Sequence, residues 1–294
     1  MQAGYRYDRQ RGLFVYSPAH STALPFLAVN WNIVGHCINA CTYCYGKDIR
    51  QCRLPSDEQI AHITSKLVAL KPSLVILTGG EPLLCPTLPT VIDRITHASI
   101  PCIVDTSAVP DMQAILQGGI ADRIHLRISL DGSTPAVNEA TRISHVPNST
   151  DRVKTHIAQA LGRGIPVTVQ TTVTEANLLH LPLLGDYLCR AGVEHWRLSV
   201  VIPHTGSLLQ ATRQMVERLR TEFPTLQIRL SNAGMDGGRH IILLDPAGVL
   251  WARGSESNEK QCLGSLIDGD VTRQDIIDQI DIDRHMGRYL AQKE

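Results

Sequence analysis

Short runs of apolar and β-branched residues alternate along the chain with longer amphipathic stretches. Six of the short runs predict β-strands, over residues 26–34, 74–77, 102–105, 124–130, 167–173 and 195–202. The stretches between these runs carry apolar residues at helical spacing. Strands that alternate with helices are typical of parallel sheets, because parallel neighbours need a long crossover connection. The pattern therefore predicts an α/β fold.

Capping and turn residues mark the predicted helices. Ser56 is followed three residues later by Gln59, which predicts a capping box and a helix that ends near Lys71. Gly162 and Gly164 end another helix that begins near residue 149. Further helices are predicted over residues 88–97, 112–117, 181–190 and 208–222.

The pattern changes after about residue 206, where a helix precedes a hairpin around the turn Asp245-Pro-Ala-Gly248. We therefore divide the chain into an N-terminal strap (1–24), a core (25–206) and a small C-terminal cap (207–294). The strap is rich in aromatic residues, and we expect it to cover an open edge of the sheet. No long Pro/Ser linker separates core from cap, so we expect them to pack together.

Composition narrows the class of protein. A chain of 294 residues, 43% of them apolar, can bury one large core with or without a smaller appendage. The 28 basic residues balance the 28 acidic ones, so no overall basic field favours nucleic acid or membrane partners. No apolar run approaches the ~18 residues of a membrane span. The N-terminus lacks the apolar segment of a secretory signal, which predicts a cytoplasmic protein.

Three cysteines directly after the first predicted strand carry the strongest chemical signal. Cys37, Cys41 and Cys44 have the spacing C-x3-C-x2-C. Three thiolates on one loop can hold three irons of a 4Fe-4S cluster and leave the fourth iron open to a small molecule. The alternatives are a zinc site completed by His36 or another residue, and buried free cysteines.

Two further motifs follow predicted strands. Gly79, Gly80 and Glu81 come after the second strand, where paired glycines allow close backbone approach to a ligand and a carboxylate can receive an ammonium group. Ser129 and Asp131 end the fourth strand, at the edge of a parallel sheet where such folds bind ligands. Each motif alone would also fit an ordinary turn.

Taken in this order, the motifs resemble the radical S-adenosylmethionine (SAM) superfamily over residues 29–206. The resemblance implies a partial (β/α)6 TIM-like barrel with a small α+β C-terminal cap. It implies that the three motif cysteines hold a 4Fe-4S cluster, whose open iron chelates the amino and carboxylate groups of SAM. It also places Tyr43 near the adenine, and Gly79, Gly80 and Glu81 around the methionine amino group.

The region 129–177 looks like the branch of peptide-modifying enzymes with SPASM or twitch C-terminal domains. This likeness implies that Ser129 approaches the SAM ribose or carboxylate, that Asp131 belongs to the same cofactor-binding edge, and that Arg142 pairs with the SAM carboxylate. The residues alone leave Arg142 open as a solvated charge at a helix end. Gln170 is expected either to point into the barrel, toward the cofactor, or to be a buried structural amide.

The chain departs from its relatives at two places. Thr106-Ser107-Ala108 stands where relatives often have Thr-Asn-Gly, so no contact is carried over there. The C-terminal segment resembles a SPASM or twitch domain, yet Cys262 is the one cysteine after Cys189, and an auxiliary cluster needs three or four thiolates. We therefore predict a cap without a second cluster. Cys262 is a candidate hydrogen-atom donor to a substrate radical, or a packing residue. The remaining cysteines are predicted to be small buried hydrophobes, namely Cys52, Cys85, Cys102 and Cys189.

The resemblance implies an oxygen-sensitive enzyme that reductively cleaves SAM to a 5′-deoxyadenosyl radical. The radical then abstracts a hydrogen atom from a peptide or small-metabolite substrate. A flavodoxin or ferredoxin is the implied reductant. The open alternatives are transfer of another SAM fragment (aminocarboxypropyl or methyl), an iron–sulfur electron carrier, and a zinc-stabilised binding protein.

Overall fold

The computed structural model describes residues 5–17, 26–44, 46–49, 54–117, 119–231, 239–254, 259–269 and 271–291. Its strands are β1 (Tyr5–Asp8), β2 (Leu13–Tyr16), β3 (Ala28–Val34), β4 (Leu74–Gly79), β5 (Cys102–Thr106), β6 (Ile124–Ser129), β7 (Val167–Val173), β8 (His195–Val200), β9 (Gln227–Ser231), β10 (Ile241–Leu244), β11 (Val249–Arg253) and β12 (Lys260–Ser265). Its α-helices are α1 (Asp57–Ala69), α2 (Leu88–His97), α3 (Gln113–Leu116), α4 (Pro135–Asn138), α5 (Ser149–Gly162), α6 (Leu181–Arg190), α7 (Gly206–Glu222), α8 (Arg273–Ile277) and α9 (Ile282–Gly287).

One ten-stranded sheet forms the centre of the molecule, in the order β12-β11-β10-β3-β4-β5-β6-β7-β8-β9. The strands from β3 to β9 are parallel neighbours in chain order. This arrangement confirms the predicted α/β fold, and all six predicted strands are present. The sequence did not predict β9, because Gln227 and Arg229 interrupt its short apolar pattern.

The two faces of the parallel strands differ in chemistry. On β6, Leu126 and Ile128 join the main hydrophobic core together with helix residues such as Ile157 of α5. Arg127 and Ser129 alternate with them and face the barrel interior. On β6 the outer face therefore belongs to the main core, whereas the inner face carries polar side chains. On β4 and β5 the inner face holds a second apolar cluster, which includes Leu74, Ile76 and Ile103.

Local sequence signals set the helix ends as expected. The capping box is present at α1, where the Gln59 amide donates to Ser56 Oγ at 3.2 Å and the Ser56 amide donates to Gln59 Oε1 at 2.9 Å. Helix α7 begins two residues earlier than predicted, because Thr205 caps it by accepting from the Leu208 amide. Among the described helices, none combines the length and the apolar composition that a bilayer crossing requires.

The N-terminal hairpin β1–β2 lies at the start of the barrel strands. Arg9 Nη1 donates to the carbonyl oxygen of Ile124, the first residue of β6, at 3.3 Å. The Phe14 ring packs edge-on against Phe26, just before β3, with 4.8 Å between centroids. In the described part of the chain the hairpin pairs with neither edge strand, β9 or β12. The expectation that this strap covers an open edge is therefore wrong for residues 5–17, because Tyr7 and Phe14 pack at the N-terminal end of the barrel instead, while Tyr16 is exposed.

The C-terminal strands extend the main sheet at its β3 edge. β10 pairs in parallel with β3, and the predicted hairpin links it to β11. Asp245 holds the turn, since its Oδ1 accepts from the Ala247 and Val249 amides at 2.9 Å each. Gly248 there has a φ of +83°, which favours glycine. The division of the chain at residues 24 and 206 stays a prediction.

Candidate active site

The cysteine loop is held against the segment that follows β6. The Ala40 amide donates to the Ile143 carbonyl at 2.7 Å, and the Thr42 amide donates to the Thr141 carbonyl at 2.9 Å. All three motif cysteines are half-buried, and none of them forms a disulfide within the described residues. The Cys44 amide closes a turn on the Cys41 carbonyl at 3.2 Å. The loop is therefore anchored while its thiols stay reachable.

The paired glycines let the end of β4 pack on the backbone that leads into this loop. The Gly80 amide donates to the Val34 carbonyl and the Glu81 amide donates to the His36 carbonyl, each at 2.8 Å. A Cβ atom at Gly80 would overlap the His36 carbonyl oxygen. Gly79 has a φ of +135°, which L side chains rarely adopt. These glycines thus allow the end of β4 to pack closely against the protein's own backbone. Their contact with SAM stays a prediction.

Glu81 joins the ends of β4 and β5. Its carboxylate is 1% exposed and accepts from Thr106 Oγ1 at 2.5 Å, from the Ser107 amide at 2.9 Å, from Ser107 Oγ at 2.5 Å and from the Leu83 amide at 3.1 Å. Burial raises the pKa of this carboxyl, and the surrounding donors oppose that rise. These bonds use the approximately four acceptor positions of a carboxylate. The predicted contact between Glu81 and the SAM amino group is untested, and it would require one of these donors to move.

The segment that departs from Thr-Asn-Gly has a structural role that the sequence reasoning missed. Thr106 and Ser107 supply the two hydroxyl donors to Glu81. Ala108 stands where relatives often have glycine, and its φ is +54°. A residue with a Cβ is strained in that conformation. The signal in the sequence was a pair of hydroxyl residues directly after a strand, beside a strand that ends in a glutamate.

Three predicted residues meet at the carboxyl end of β6. Asp131 is 1% exposed, and its carboxylate accepts from Tyr43 Oη, from the Thr172 amide at 2.8 Å and from Thr141 Oγ1 at 3.3 Å. Arg142 Nη1 donates to Tyr43 Oη at 2.8 Å and lies 3.9 Å from Asp131 Oδ2. We name Tyr43, Asp131 and Arg142 the upper network.

Burial and charge control protonation in the upper network. Burial raises the pKa of Asp131, and the Arg142 guanidinium and the Tyr43 hydroxyl oppose that rise. Burial also raises the pKa of Tyr43 well above its ordinary value. The Arg142 side chain is 13% exposed. The alternative of a solvated helix-end charge is therefore wrong for Arg142, because its guanidinium lies inside the protein.

Ser129 and Gln170 are register neighbours on β6 and β7 and face the interior. Gln170 Oε1 is buried without a hydrogen-bond partner among the described residues, and so is Asn32 Oδ1 on β3. Buried polar atoms are rarely left unpaired. A structural amide would have its oxygen bonded within the protein, so the geometry favours the interpretation in which Gln170 faces a ligand.

The remaining cysteines lie away from the motif loop in sequence. Cys85 and Cys102 are buried, as predicted, whereas Cys189 is half-buried and Cys52 lies outside the described residues. Cys262 is exposed on edge strand β12. The Lys260–Asp48 ion pair ties that strand to the segment after the cysteine motif. The hydrogen-donor role of Cys262 stays a prediction.

The donor set fits an iron–sulfur cluster by its chemistry. In the described part of the chain, no three His, Cys, Asp or Glu side chains stand close enough to form a ready-made metal site. Three cysteine thiols on one anchored loop are nevertheless the ligand type and number that leave one iron of a 4Fe-4S cluster open. The unpaired oxygens of Asn32 on β3 and Gln170 on β7 lie on the interior face of the sheet, where a polar ligand would satisfy them.

Two curated proteins resemble this chain over most of its length. The S-adenosylmethionine-dependent nucleotide dehydratase of Flammeovirga pacifica is 22% identical over 236 residues, which are 75% of this chain and 80% of the relative. The PqqA peptide cyclase of Xanthomonas axonopodis pv. citri is 27% identical over 267 residues, which are 81% of this chain and 71% of the relative.

A solved structure shares the fold at low sequence identity. Streptococcus suis SuiB bound to precursor peptide SuiA has a TM-score of 0.69 and 13% identity, and the match covers 92% of this chain and 69% of that chain. Residues 31–176, which contain the cysteine loop and the upper network, match the model of the radical SAM superfamily. The chain therefore belongs to the radical SAM superfamily.

Proposed function

We propose that this protein reductively cleaves SAM at a 4Fe-4S cluster held by Cys37, Cys41 and Cys44, and that it modifies a substrate inside the barrel by hydrogen-atom abstraction. When bound, the cluster passes one electron from a flavodoxin- or ferredoxin-type reductant to the sulfonium, so that the C5′–S bond breaks into methionine and a 5′-deoxyadenosyl radical. The observation that carries the proposal is the anchoring of the cysteine loop beside the upper network, at one edge of the barrel.

The upper network is suited to bind the carboxylate of SAM. A guanidinium has five N–H donors, and Tyr43 accepts one from Arg142. Asp131 stabilises the buried charge of Arg142 and orients Tyr43. Arg142 can then offer a bidentate pair of donors to a carboxylate. Burial among these side chains excludes water from the reacting groups.

Ser129 and Gln170 complete the proposed SAM contacts. Both face the interior one strand apart, and the Gln170 amide oxygen is free to accept a hydrogen bond. Gly79 and Gly80 contribute by holding the cysteine loop on β4. In this proposal the polar inner face orients SAM, and the same face continues below it to receive the substrate.

The substrate class is a peptide or a small metabolite. The relatives' names divide in the same way, since one is a peptide cyclase and the other a nucleotide dehydratase. The C-terminal strands would act as a SPASM/twitch-like cap without an auxiliary cluster. Redox-neutral chemistry, or transfer of the substrate electron to an external acceptor, suits one cluster better than chemistry that requires a second.

Iron content and SAM binding test this proposal. Anaerobic reconstitution with iron and sulfide should give about four irons per chain, and replacing the three motif cysteines together by alanine should remove them. Arg142→Ala should weaken SAM binding by more than ~1 kcal/mol, because a charge-assisted hydrogen bond is lost. Arg190→Ala, an exposed arginine on α6 paired with Asp186, is the matched control and should leave binding unchanged.

Three outcomes contradict the proposal. Full iron content in the triple-cysteine variant would place the metal elsewhere. Stoichiometric zinc with no iron–sulfur absorbance after reconstitution would support the zinc alternative. A cluster that forms in a protein unable to bind SAM would support the electron-carrier alternative.

A further inference from the structure

Arginines crowd the lower, N-terminal half of the barrel interior. Arg127 of β6, Arg197 of β8, Arg229 of β9 and Arg288 after α9 all line one cavity of about 220 Å³. None of the described residues that line this cavity is Asp or Glu. We name the cavity that these four residues line the arginine cavity.

On three strands an arginine precedes a serine by two residues. The tripeptides Arg127-Ile-Ser129, Arg197-Leu-Ser199 and Arg229-Leu-Ser231 repeat one pattern on three strands. Arg197 and Arg229 are direct register partners in the parallel pair β8–β9. Since alternate strand residues share a face, each arginine points inward as its following serine does. The cluster is thus built by the sheet rather than by a mobile surface.

Within the described residues, Arg197 is the cavity arginine whose charge is least compensated. Arg127 pairs with Asp105 at 2.6 Å, and Arg229 Nη2 donates to the uncharged carbonyl of Arg288 at 2.9 Å. No hydrogen bond or ion pair of the Arg197 side chain is found within the described residues. Burial and the guanidiniums of Arg127, Arg288 and Arg229 lower the pKa of Arg197 well below its ordinary value, and Asp105 opposes this only in part.

Buried like charges are unfavourable unless a counter-charge joins them. The guanidinium fork matches the oxygens of a phosphoryl group, and several arginines around one cavity can surround a multiply charged anion. The cavity is smaller than the roughly 300–1,000 Å³ of pockets that take whole ligands. Its size therefore suits the charged end of a molecule rather than the entire molecule.

We propose that the arginine cavity binds the phosphoryl group, a phosphate or diphosphate, of a small-molecule substrate. This inference rests on the proposed function for the reaction that follows binding. By register, Arg197 and Arg229 continue the row of Ser129 and Gln170. Arg127 lies two residues, roughly 7 Å along β6, before Ser129. A phosphate ester held there extends its carbon atoms toward Ser129 and Gln170, where SAM is proposed to bind.

Direct binding measurements test the anion site without requiring turnover. Pyrophosphate is titrated calorimetrically into the reconstituted full-length protein, in phosphate-free buffer and under anaerobic conditions. Wild type should bind pyrophosphate, with an affinity that falls as salt rises. Arg197→Gln should weaken binding about tenfold or more, and Arg197→Lys should weaken it less, because lysine keeps the charge and loses the fork. Arg218→Gln, an exposed arginine on α7 paired with Glu222, is the control and should bind as wild type does.

The melting temperature separates lost binding from lost folding. Without pyrophosphate, Arg197→Gln should melt at or above the wild-type temperature, because one of several like charges is removed. With saturating pyrophosphate, the wild type should become the more stable protein. Failure of wild type to bind pyrophosphate, or equal binding by Arg197→Gln, would overturn the proposal.

Competition assays identify the source of the anion. Nucleoside triphosphates and sugar phosphates should displace pyrophosphate, whereas citrate and an oligoglutamate peptide should do so poorly. Displacement by the acidic peptide alone would overturn the phosphoryl proposal in favour of a peptide substrate. Binding of inorganic anions with no displacement by phosphorylated metabolites would overturn the substrate role. Cleavage of SAM is measured separately on the wild type, so a failure of the proposed reaction is distinguishable from a failure of anion binding.

Discussion

The upper network and the arginine cavity are two charged regions of one barrel interior, and they treat charge in opposite ways. In the upper network Arg142 lies beside Asp131 and donates to Tyr43. In the arginine cavity Arg197 faces three other guanidiniums, and Asp105 offsets their effect on it only in part. The comparison teaches that Arg142 is balanced within the chain, whereas in our proposal the charge of Arg197 is balanced by an external anion.

The largest expected effect concerns the balanced region. Asp131→Ala removes the carboxylate that compensates Arg142 and accepts from the Thr172 amide. We expect the free energy of unfolding to fall by about 3–5 kcal/mol, as when one partner of a buried ion pair is deleted. Urea denaturation measures it. Asp186→Asn breaks the exposed pair with Arg190 and should cost no more than ~1 kcal/mol; equal losses in the two variants would contradict the upper network.

Acid should destabilise the N-terminal end of the barrel, where His285 packs beside Phe26. Its Nε2 accepts from the Ala28 amide at 2.9 Å, and burial lowers its pKa to about 4. The unfolded chain, with an ordinary histidine pKa of about 6.5, binds a proton first, so stability from this group is complete above about pH 6.5 and is lost as pH falls toward 4. The loss should reach about 3 kcal/mol. Melting curves of wild type and His285→Gln measure it, and an equally steep loss in both would contradict this assignment.

Gly80→Ala should disturb the loop that precedes the cluster cysteines. The added Cβ overlaps the His36 carbonyl oxygen, and we expect a loss of about 1–3 kcal/mol, typical of overpacking, together with reduced iron content after reconstitution. Iron analysis and thermal melting measure both effects. Gly162→Ala, which adds a Cβ into open space at the end of α5, is the control. Normal iron content in Gly80→Ala would show that this contact does not position the loop.

Arg197→Gln should change the free energy of unfolding in the direction opposite to that expected for Asp131→Ala. Two unit charges ~8 Å apart repel by about 2 kcal/mol at an effective dielectric constant near 20, and part of this is offset by lost packing of the side chain. We therefore expect the free energy of unfolding to rise by about 1 kcal/mol in phosphate-free buffer, as measured by urea denaturation. A loss comparable to that of Asp131→Ala would mean that the two regions do not differ.

The smallest effect concerns Ala108 beside Glu81. Its φ of +54° is unfavourable for a residue with a Cβ, so Ala108→Gly should raise the free energy of unfolding by about 0.5–1 kcal/mol after the entropy of the unfolded glycine is included. Ala191→Gly, at a residue with a φ of −78°, should instead lower it. Differential scanning calorimetry measures both variants, and a decrease in both would remove the strain argument.

The sequence predicted the parts of the molecule that are governed by local rules. Helix α1 follows from its capping box, and the six strands follow from apolar runs. The edge that carries Cys37, Gly80 and Asp131 follows from motifs placed at the ends of parallel strands. These features depend on neighbouring residues in the chain and on the general geometry of a parallel sheet.

The arginine cavity could not be predicted in the same way. Arg127 and Arg197 are far apart in sequence, and they meet because β6 and β8 place them on one face. The available signal was the tripeptide Arg-Ile/Leu-Ser in three strands, which has meaning only once the register is known. The same holds for Glu81, whose bonds to Thr106 and Ser107 depend on the pairing of β4 with β5.

The products formed from SAM test the central claim most directly. The reconstituted protein is incubated anaerobically with SAM and dithionite, and the nucleoside products are quantified. Our account predicts 5′-deoxyadenosine and methionine in equal amounts, and neither product in the triple-cysteine variant. Methylthioadenosine or S-adenosylhomocysteine as the nucleoside product, from protein that carries about four irons, would contradict it and assign the enzyme to transfer of another SAM fragment.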